Sequence, residues 1–148
     1  MIAITGHTSG IGKFINDNYN CIGFSRSNGY DISKDNDRMR MYEESKKCDT
    51  FINCAYYDNY QSVLLRELLL YNSKIDIINI GSDVTNYDLP EGHRLEKYKE
   101  NKLDLKYQCE LFGAKYRTFG YVSTERILRD RPNVQTISLE EAVRIIFD

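Results

Sequence analysis

Short runs of apolar residues recur along the chain and are separated by more polar segments. Near-continuous apolar runs of this length are typical of strands that are buried on both faces of a parallel sheet. The predicted strands are residues 1–5, 20–25, 50–55 and 75–81, with a weaker fifth at 116–122.

Segments with helical character lie between these strands. Pro90 and Glu91 suit the first turn of a helix, Gly113 suits the end of one, and the sequence from Ser138 to Glu141 matches a capping box. Alternation of strand and helix predicts a single α/β domain, residues 1–148, with a doubly wound parallel sheet. The predicted helices are 11–18, 34–47, 60–71 and 90–112, and a last one follows Ser138.

Composition narrows the class of protein. The 148 residues suit one domain, and 41% hydrophobic with 28% charged residues is ordinary for a globular chain. The net charge of −2 gives no basic excess for nucleic acid. No apolar run approaches the roughly 18 residues of a membrane helix, and the first residues do not resemble a signal peptide. Four cysteines without a C-x-x-C pair predict reduced thiols, no metal site and a cytoplasmic location.

A glycine-rich motif, Thr5-Gly6-His7-Thr8-Ser9-Gly10-Ile11-Gly12, follows the first predicted strand and opens the first predicted helix. Glycines permit a tight turn and let the backbone approach a pyrophosphate, which the helix N-terminus then binds. Ser9 adds a hydroxyl donor. The motif predicts a dinucleotide site, and the alternative is a glycine-rich turn without a ligand.

This motif resembles the first turn of the short-chain dehydrogenase/reductases, Thr-Gly-x-x-x-Gly-x-Gly. Thr5, Gly6, Gly10 and Gly12 match it, and Ile11 is the usual residue between the last two glycines. The resemblance reaches about Thr124. It implies a Rossmann-like fold that binds NAD(P). The chain is shorter than usual for this family, which implies an open substrate site.

The residues after the second strand bear on the cofactor. An acidic residue there favours NAD, whereas an arginine accommodates the 2′-phosphate of NADP. Arg26, between two serines, therefore favours NADP(H) over NAD(H), and the alternative is a solvated surface arginine. Asp31 and Ile32 resemble the family's adenine-contacting pair, which implies that the usual helix between the second and third strands is missing. The alternative is that Asp31 caps the helix at Lys34.

Two further segments resemble cofactor-binding parts of the family. Asn53-Cys54-Ala55-Tyr56 resembles Asn-Asn-Ala-Gly, which lines the cofactor, but Tyr56 adds bulk where backbone usually approaches it. Gly120, Val122 and Thr124 match Pro-Gly-x-Val-x-Thr, in which the Val and Thr positions hold the nicotinamide carboxamide. The alternative for this second segment is an ordinary exit from a strand.

A Tyr-x-x-x-Lys pair places a phenol and an ammonium group on one face of a helix. The ammonium group lowers the pKa of the tyrosine, which then serves as a general acid or base. Only one of the three pairs lies downstream of a strand that ends in a serine, Ser82. The pairs are Tyr30/Lys34, Tyr42/Lys46 and Tyr98/Lys102.

The resemblance assigns roles to Ser82, Tyr98 and Lys102. In the family the serine positions the substrate carbonyl, the tyrosine is the acid/base and the lysine also binds the nicotinamide ribose. The alternative is an exposed helix face with Ser82 in a turn. The family's relay asparagine has no counterpart inside helix 60–71, although Gln61 lies near its start.

The predicted function is hydride transfer between NADP(H) and a small carbonyl or alcohol substrate. A non-catalytic dinucleotide-binding sensor or scaffold is the alternative. A nucleotide-sugar epimerase or reductase is disfavoured, because those proteins usually space the glycines as Gly-x-x-Gly-x-x-Gly. In the family the helices that correspond to 60–71 and 90–112 pair across a dimer, which implies a homodimer or homotetramer.

Overall fold

The computed structural model describes all 148 residues and contains one five-stranded sheet. The strands are β1 (Ile2–Thr5), β2 (Cys21–Phe24), β3 (Thr50–Asn53), β4 (Asp76–Ile80) and β5 (Lys115–Arg117). Their order in the sheet is β2-β1-β3-β4-β5, and every neighbouring pair is parallel. All carboxyl ends therefore point to the same edge.

Six helices connect and cover the strands. They are α1 (Gly10–Asn18), α2 (Asp35–Glu44), α3 (Tyr60–Tyr71), α4 (Glu96–Phe112), α5 (Glu125–Asp130) and α6 (Leu139–Phe147). None of them combines the length and the apolar character that crossing a bilayer requires.

Successive strand residues point to opposite faces of the sheet, and both faces are buried. Ala3 and Phe51 contribute to the core beneath α2, α3 and α4, whereas Ile4 and Ile52 contribute to the core beneath α1 and α6. A strand that is covered on both faces needs apolar residues at every position, which explains the continuous apolar runs. The predicted doubly wound α/β fold is confirmed.

Two predicted elements end up shorter. The long helix begins at Glu96, and Pro90 lies in a turn in which its carbonyl accepts from His93 N and Gly92 adopts φ +79°. Strand β5 ends at Arg117, and Val122 instead forms an isolated parallel bridge with Ile137.

One helix of the structure was not predicted from the sequence, and the helix predicted between the second and third strands is confirmed. Helix α5 has only six residues, none of them buried, so it leaves no hydrophobic period in the sequence. The helix predicted at 34–47 is present as α2, which lies between β2 and β3 and buries Met41 and Tyr42. Asp31 belongs to the turn before it.

Candidate active site

The carboxyl ends of β1, β3 and β4 bring three sequence motifs to one edge of the sheet. The glycine loop follows Thr5, Cys54 follows β3, and Ser82 follows β4 after one glycine. Thr5 Oγ1 accepts from the backbone N–H groups of Cys54 and Ala55, each at 3.0 Å. Ligands of open parallel sheets bind at this edge.

Close backbone packing fixes the shape of the glycine loop. Gly6 has φ +75°, and a β-carbon there would lie 3.2 Å from Ala55 Cα. A β-carbon at Gly12 would lie 2.1 Å from the carbonyl oxygen of Gly6. The first turn of α1 therefore lies against the end of β1 in a way that only glycine permits.

The N-terminus of α1 is open. Ser9 occupies the N-cap position in an extended conformation, but its exposed side chain makes no capping hydrogen bond. The backbone N–H groups of Gly10, Ile11 and Gly12 belong to the first helical turn, which has no intrahelical acceptors. The methyl group of Thr124 lies 3.9 Å from the β position of Gly10, so the C-terminal segment borders this cradle.

The glycine loop has the features that a dinucleotide requires. Backbone N–H groups and the positive end of the helix dipole favour a pyrophosphate. His7 Nδ1, in the same loop, is buried and has no hydrogen-bond partner. Its ring packs on Gly23 so closely that a β-carbon there would lie 2.2 Å from it. An unsatisfied buried nitrogen in the glycine loop fits a polar ligand.

The residues after β2 lie beside the glycine loop, because His7 of that loop packs on Gly23 of β2. Arg26 is exposed and forms no ion pair, so its guanidinium group is free for an anion. Hydrogen bonds from Ser33 lower the pKa of Asp31, and Arg26 adds to that effect. Asp31 is therefore not the N-cap of α2, which is Lys34. Ile32 is 8% exposed and belongs to the core.

The segment after β3 has a mainly structural role. Asn53 is buried, and its Nδ2 donates to the carbonyl of Gln61 and to Asn79 Oδ1, each at 2.9 Å. Burial raises the pKa of the half-buried Cys54 thiol to about 11. Ala55 closes against Gly6. These contacts join β3 to α3 and β4, and they hold Tyr56 at the edge of the sheet.

The structure brings Ser82, Tyr98 and Lys102 together. Ser82 caps a 3₁₀ turn, and its Oγ accepts from Val84 N at 3.2 Å. The Ser82 side chain lies close enough to the phenol of Tyr98 to lower its pKa. The Nζ atom of Lys102 lies 5.6 Å from the centroid of the Tyr98 ring.

Lys102 is almost completely buried, at 3% exposure. Its Nζ donates to Gln61 Oε1 at 2.7 Å and to the carbonyl oxygen of Ile80 at 2.9 Å, and it meets no carboxylate. Burial lowers the pKa of Lys102 to about 8, and the nearby Cys54 opposes this shift. An isolated ammonium group loses its hydration here, so burial shifts the protonation equilibrium of Lys102 toward the neutral amine.

The pKa of Tyr98 differs from the sequence expectation. Burial raises the pKa of Tyr98 above its ordinary value, although the nearby Ser82 acts in the opposite direction. The expected lowering by Lys102 is absent, since its ammonium group is directed to Gln61 and Ile80. Asp83 raises the pKa of Tyr98 further, and Arg126 lowers it.

Three site residues escaped the sequence prediction or were underrated by it. Gln61 bonds Lys102 directly and also donates through Nε2 to the carbonyl oxygens of Asn53 and Ile80. Tyr56 packs edge-on against Tyr98, with centroids 4.7 Å apart. Asn101 Nδ2 donates to the phenolic oxygen of Tyr56 at 2.9 Å. The sequence signals were the position of Gln61 at the start of α3 and the bulk of Tyr56 where the family has a glycine.

The last predicted cofactor residues lie on the far side of the cradle. Val122 is buried at 7% exposure. Thr124 borders Gly10 and caps α5, because its Oγ1 accepts from Ile127 N at 3.3 Å. Its oxygen thus accepts one hydrogen bond within the chain, and its O–H remains available as a donor.

The other two Tyr-x-x-x-Lys pairs lie outside the site. Tyr42 is fully buried and donates to Glu67 Oε1 at 2.7 Å, and Lys46 pairs with Glu43. Tyr30 packs edge-on against Phe24. No cluster of three or more His, Cys, Asp or Glu is arranged to hold a metal ion.

Comparison with solved structures identifies the fold. A protein described as a short-chain dehydrogenase/reductase family protein superimposes with a TM-score of 0.70 at 15% identity, over 99% of this chain and 88% of that one. A small-chain dehydrogenase in complex with NADPH gives 0.70 at 12% identity, over 99% and 89%. The chain has the fold of the short-chain dehydrogenase/reductases.

A third neighbour is larger. A GDP-D-glycero-L-gluco-heptose synthase from Campylobacter jejuni, solved in the presence of NADPH, gives a TM-score of 0.62 at 14% identity. The alignment covers 99% of this chain and 63% of that one. No family model and no curated protein matches the sequence.

Proposed function

We propose that this protein is an oxidoreductase of the short-chain dehydrogenase/reductase type, which interconverts a carbonyl and an alcohol with NADP(H). The observation that carries the proposal is the placement of Ser82, Tyr98 and Lys102 at the same sheet edge as an open glycine cradle. A bound nicotinamide supplies or accepts the hydride, and the chain supplies binding, orientation and proton transfer.

The proposed chemistry assigns one task to each polar side chain. The Ser82 hydroxyl orients the substrate oxygen next to the phenol of Tyr98. Tyr98 donates its proton to that oxygen in reduction and accepts a proton from it in oxidation. The raised pKa of Tyr98 keeps the phenol protonated at neutral pH, which is the form that reduction needs. Lys102 offers an N–H donor to a ribose hydroxyl.

Gln61 is the proposed substitute for the relay asparagine that the sequence lacks. Its Oε1 accepts from Lys102 while its Nε2 is held by two backbone carbonyls. This arrangement fixes the amide, so that the Lys102 amine is oriented by α3 as well as by α4. Gln61 is a positioning residue in this proposal.

The first experiment tests binding and turnover separately. Purified protein is titrated with NADPH and with NADH, and turnover is then measured with a panel of aldehydes and ketones. We expect tighter binding of NADPH because Arg26 is free. Tyr98→Phe should retain NADPH binding and lose at least about 100-fold in turnover, the usual contribution of a general acid. Tyr19→Phe, which alters an exposed tyrosine at the C-terminal end of α1, is the control.

The alternative function is a non-catalytic dinucleotide sensor or scaffold. The observation in its favour is that Tyr56 lies over the buried Lys102. NADPH binding without turnover of any carbonyl in wild type would favour this alternative. Full turnover by Tyr98→Phe would contradict the assigned site, and binding of neither dinucleotide would contradict the proposed function altogether.

A further inference from the structure

Tyr56 covers the amine of Lys102. The Nζ atom lies 5.4 Å from the centroid of the Tyr56 ring and 5.6 Å from that of Tyr98. The two rings meet edge-on. Tyr56 itself is 39% exposed, whereas Lys102 is 3% exposed. Two aromatic rings therefore lie against the amine, in addition to its hydrogen-bond partners Gln61 and Ile80.

A hydrogen bond holds the Tyr56 ring in this position. Asn101, the neighbour of Lys102 on α4, donates through Nδ2 to the Tyr56 phenolic oxygen at 2.9 Å. Asn101 is 8% exposed and Tyr56 is 39% exposed, so the bond is partly shielded from competing water. The backbone of Tyr56 lies in the loop between β3 and α3, in which Asp58 is the only non-glycine residue of the chain with a positive φ, +46°. The ring is thus held by one bond on a locally strained loop.

Lys102 has one unused donor beneath this ring. An ammonium group has three N–H donors, and two are taken by Gln61 and Ile80. No carboxylate pairs with Lys102; the ionisable groups that face it are Cys54, from the end of β3, and the phenols of Tyr56 and Tyr98. The third donor is the one that a ligand hydroxyl would use.

We propose that Tyr56 is the gate of this site: held by Asn101, its ring shields Lys102 in the free protein and moves aside when a ligand hydroxyl takes the third N–H. That the hydroxyl belongs to the ribose of NADP(H) rests on the proposed function. The shielding does not, because it involves only residues of this chain.

The gate also controls the protonation of Lys102. With the ring in place, burial lowers the pKa of the amine to about 8. Removing the ring admits water, which stabilises the ammonium form and returns the pKa toward the ordinary value of 10.5. The cation–π attraction that is lost at the same time acts in the opposite direction but is smaller than full solvation.

The experiment measures the reactivity of Lys102 in the protein without any dinucleotide. The protein is labelled briefly with acetic anhydride across a pH series, and the Lys102 peptide is quantified by mass spectrometry. Tyr56→Ala should move the midpoint of labelling upward, toward the ordinary value of a lysine, and raise its plateau. Tyr57→Ala, which removes a neighbouring exposed tyrosine, should match wild type. Equal midpoints and plateaus for the two variants would overturn the gate.

Tyr56→Phe tests whether the hydrogen bond from Asn101 holds the Tyr56 ring. It also serves as a second test if the alanine variant does not fold. It keeps the ring and loses the hydrogen bond, so labelling should become faster at its plateau with a midpoint close to that of wild type. A plateau equal to that of wild type would show that Asn101 does not hold the gate.

Adding NADPH separates this proposal from the proposed function. Protection of Lys102 from labelling by NADPH, in wild type and in Tyr57→Ala, would support both. If neither NADPH nor NADH protects Lys102 while Tyr56→Ala still exposes it, the gate stands and the dinucleotide function fails.

Discussion

At the scale of single residues, the chemistry of the site depends on neighbours that no local motif connects. The Tyr-x-x-x-Lys spacing predicts that Tyr98 and Lys102 share a helix face. It does not predict Gln61, which lies 41 positions before Lys102 and is its direct hydrogen-bond partner. It also does not predict the burial that lowers the pKa of Lys102 and raises that of Tyr98.

Arg26 carries the expected preference between the two dinucleotides. Its side chain is exposed and pairs with no carboxylate, so Arg26→Ala should leave the free energy of unfolding nearly unchanged. A hydrogen bond to a charged group contributes about 1.5–3 kcal/mol, so we expect Kd for NADPH to rise about tenfold or more. Kd for NADH should stay the same. Titrations followed by nicotinamide fluorescence measure both.

Arg66→Ala is the matched control, because Arg66 is also exposed and lies on α3, outside the cradle. Its affinities for both dinucleotides should equal those of wild type. An equal loss of NADPH and NADH affinity in Arg26→Ala would contradict the role of Arg26 in recognising a 2′-phosphate.

At the scale of elements, the N-termini of two helices differ in function. The N-terminus of α6 is capped and stabilises the fold, whereas that of α1 is uncapped and available to a ligand. Helix α6 is capped by Ser138, whose Oγ accepts from Glu141 N at 3.0 Å, as half of the predicted capping box. Glu141 does not complete the box, since its carboxylate pairs with Arg144. Helix α1 starts at Ser9 with no side-chain cap. Of these two N-termini, that of α1 is the one left open for an anion.

Two serine substitutions test this distinction. Ser138→Ala should lower the free energy of unfolding by about 1 kcal/mol, the usual cost of a lost cap, and leave NADPH binding unchanged. Ser9→Ala loses no cap, so its stability should stay within about 0.5 kcal/mol of wild type. Its affinity for NADPH should fall because a hydroxyl donor to the pyrophosphate is lost. Urea unfolding and the fluorescence titration measure the two effects. Loss of NADPH affinity in Ser138→Ala, together with loss of stability but not of affinity in Ser9→Ala, would refute this interpretation of the α1 N-terminus.

At the scale of the whole molecule, one face of α4 exposes apolar side chains in a helical stripe. Leu103, Tyr107 and Leu111 are four residues apart and are 41%, 60% and 60% exposed. Leu70 on the adjacent α3 is 90% exposed. Such a patch is typical of an interface between subunits. It is the natural surface for the homodimer or homotetramer that the family resemblance implies.

We expect the protein to be a dimer or tetramer in solution and the double variant Leu103→Glu/Leu111→Glu to be a monomer. Charges on this stripe would have to be buried unpaired in the interface. Light scattering after size-exclusion chromatography measures the mass. Leu128→Glu, an equally exposed position on α5, should leave the oligomer intact. A monomeric wild type would disprove this arrangement.

The sequence by itself determined the frame of this protein. Continuous apolar runs predicted the four longer strands, because a strand that is buried on both faces needs apolar residues at consecutive positions. The glycine motif predicted the sharp turn between β1 and α1, because the close packing there permits only glycine. The start of α4 and the existence of α5 were harder to predict from the sequence. Gly92 lies in a turn before α4, and α5 buries no residue that would give a hydrophobic period.

Only the tertiary structure decided how the candidate site works. The contacts of Gln61 with Lys102, of Asn101 with Tyr56 and of Tyr56 with Tyr98 join α3, α4 and the end of β3. The physical reason is that burial and hydrogen-bond partners come from residues far apart in the chain. The protonation of Lys102 and access to it are therefore properties of the packed molecule.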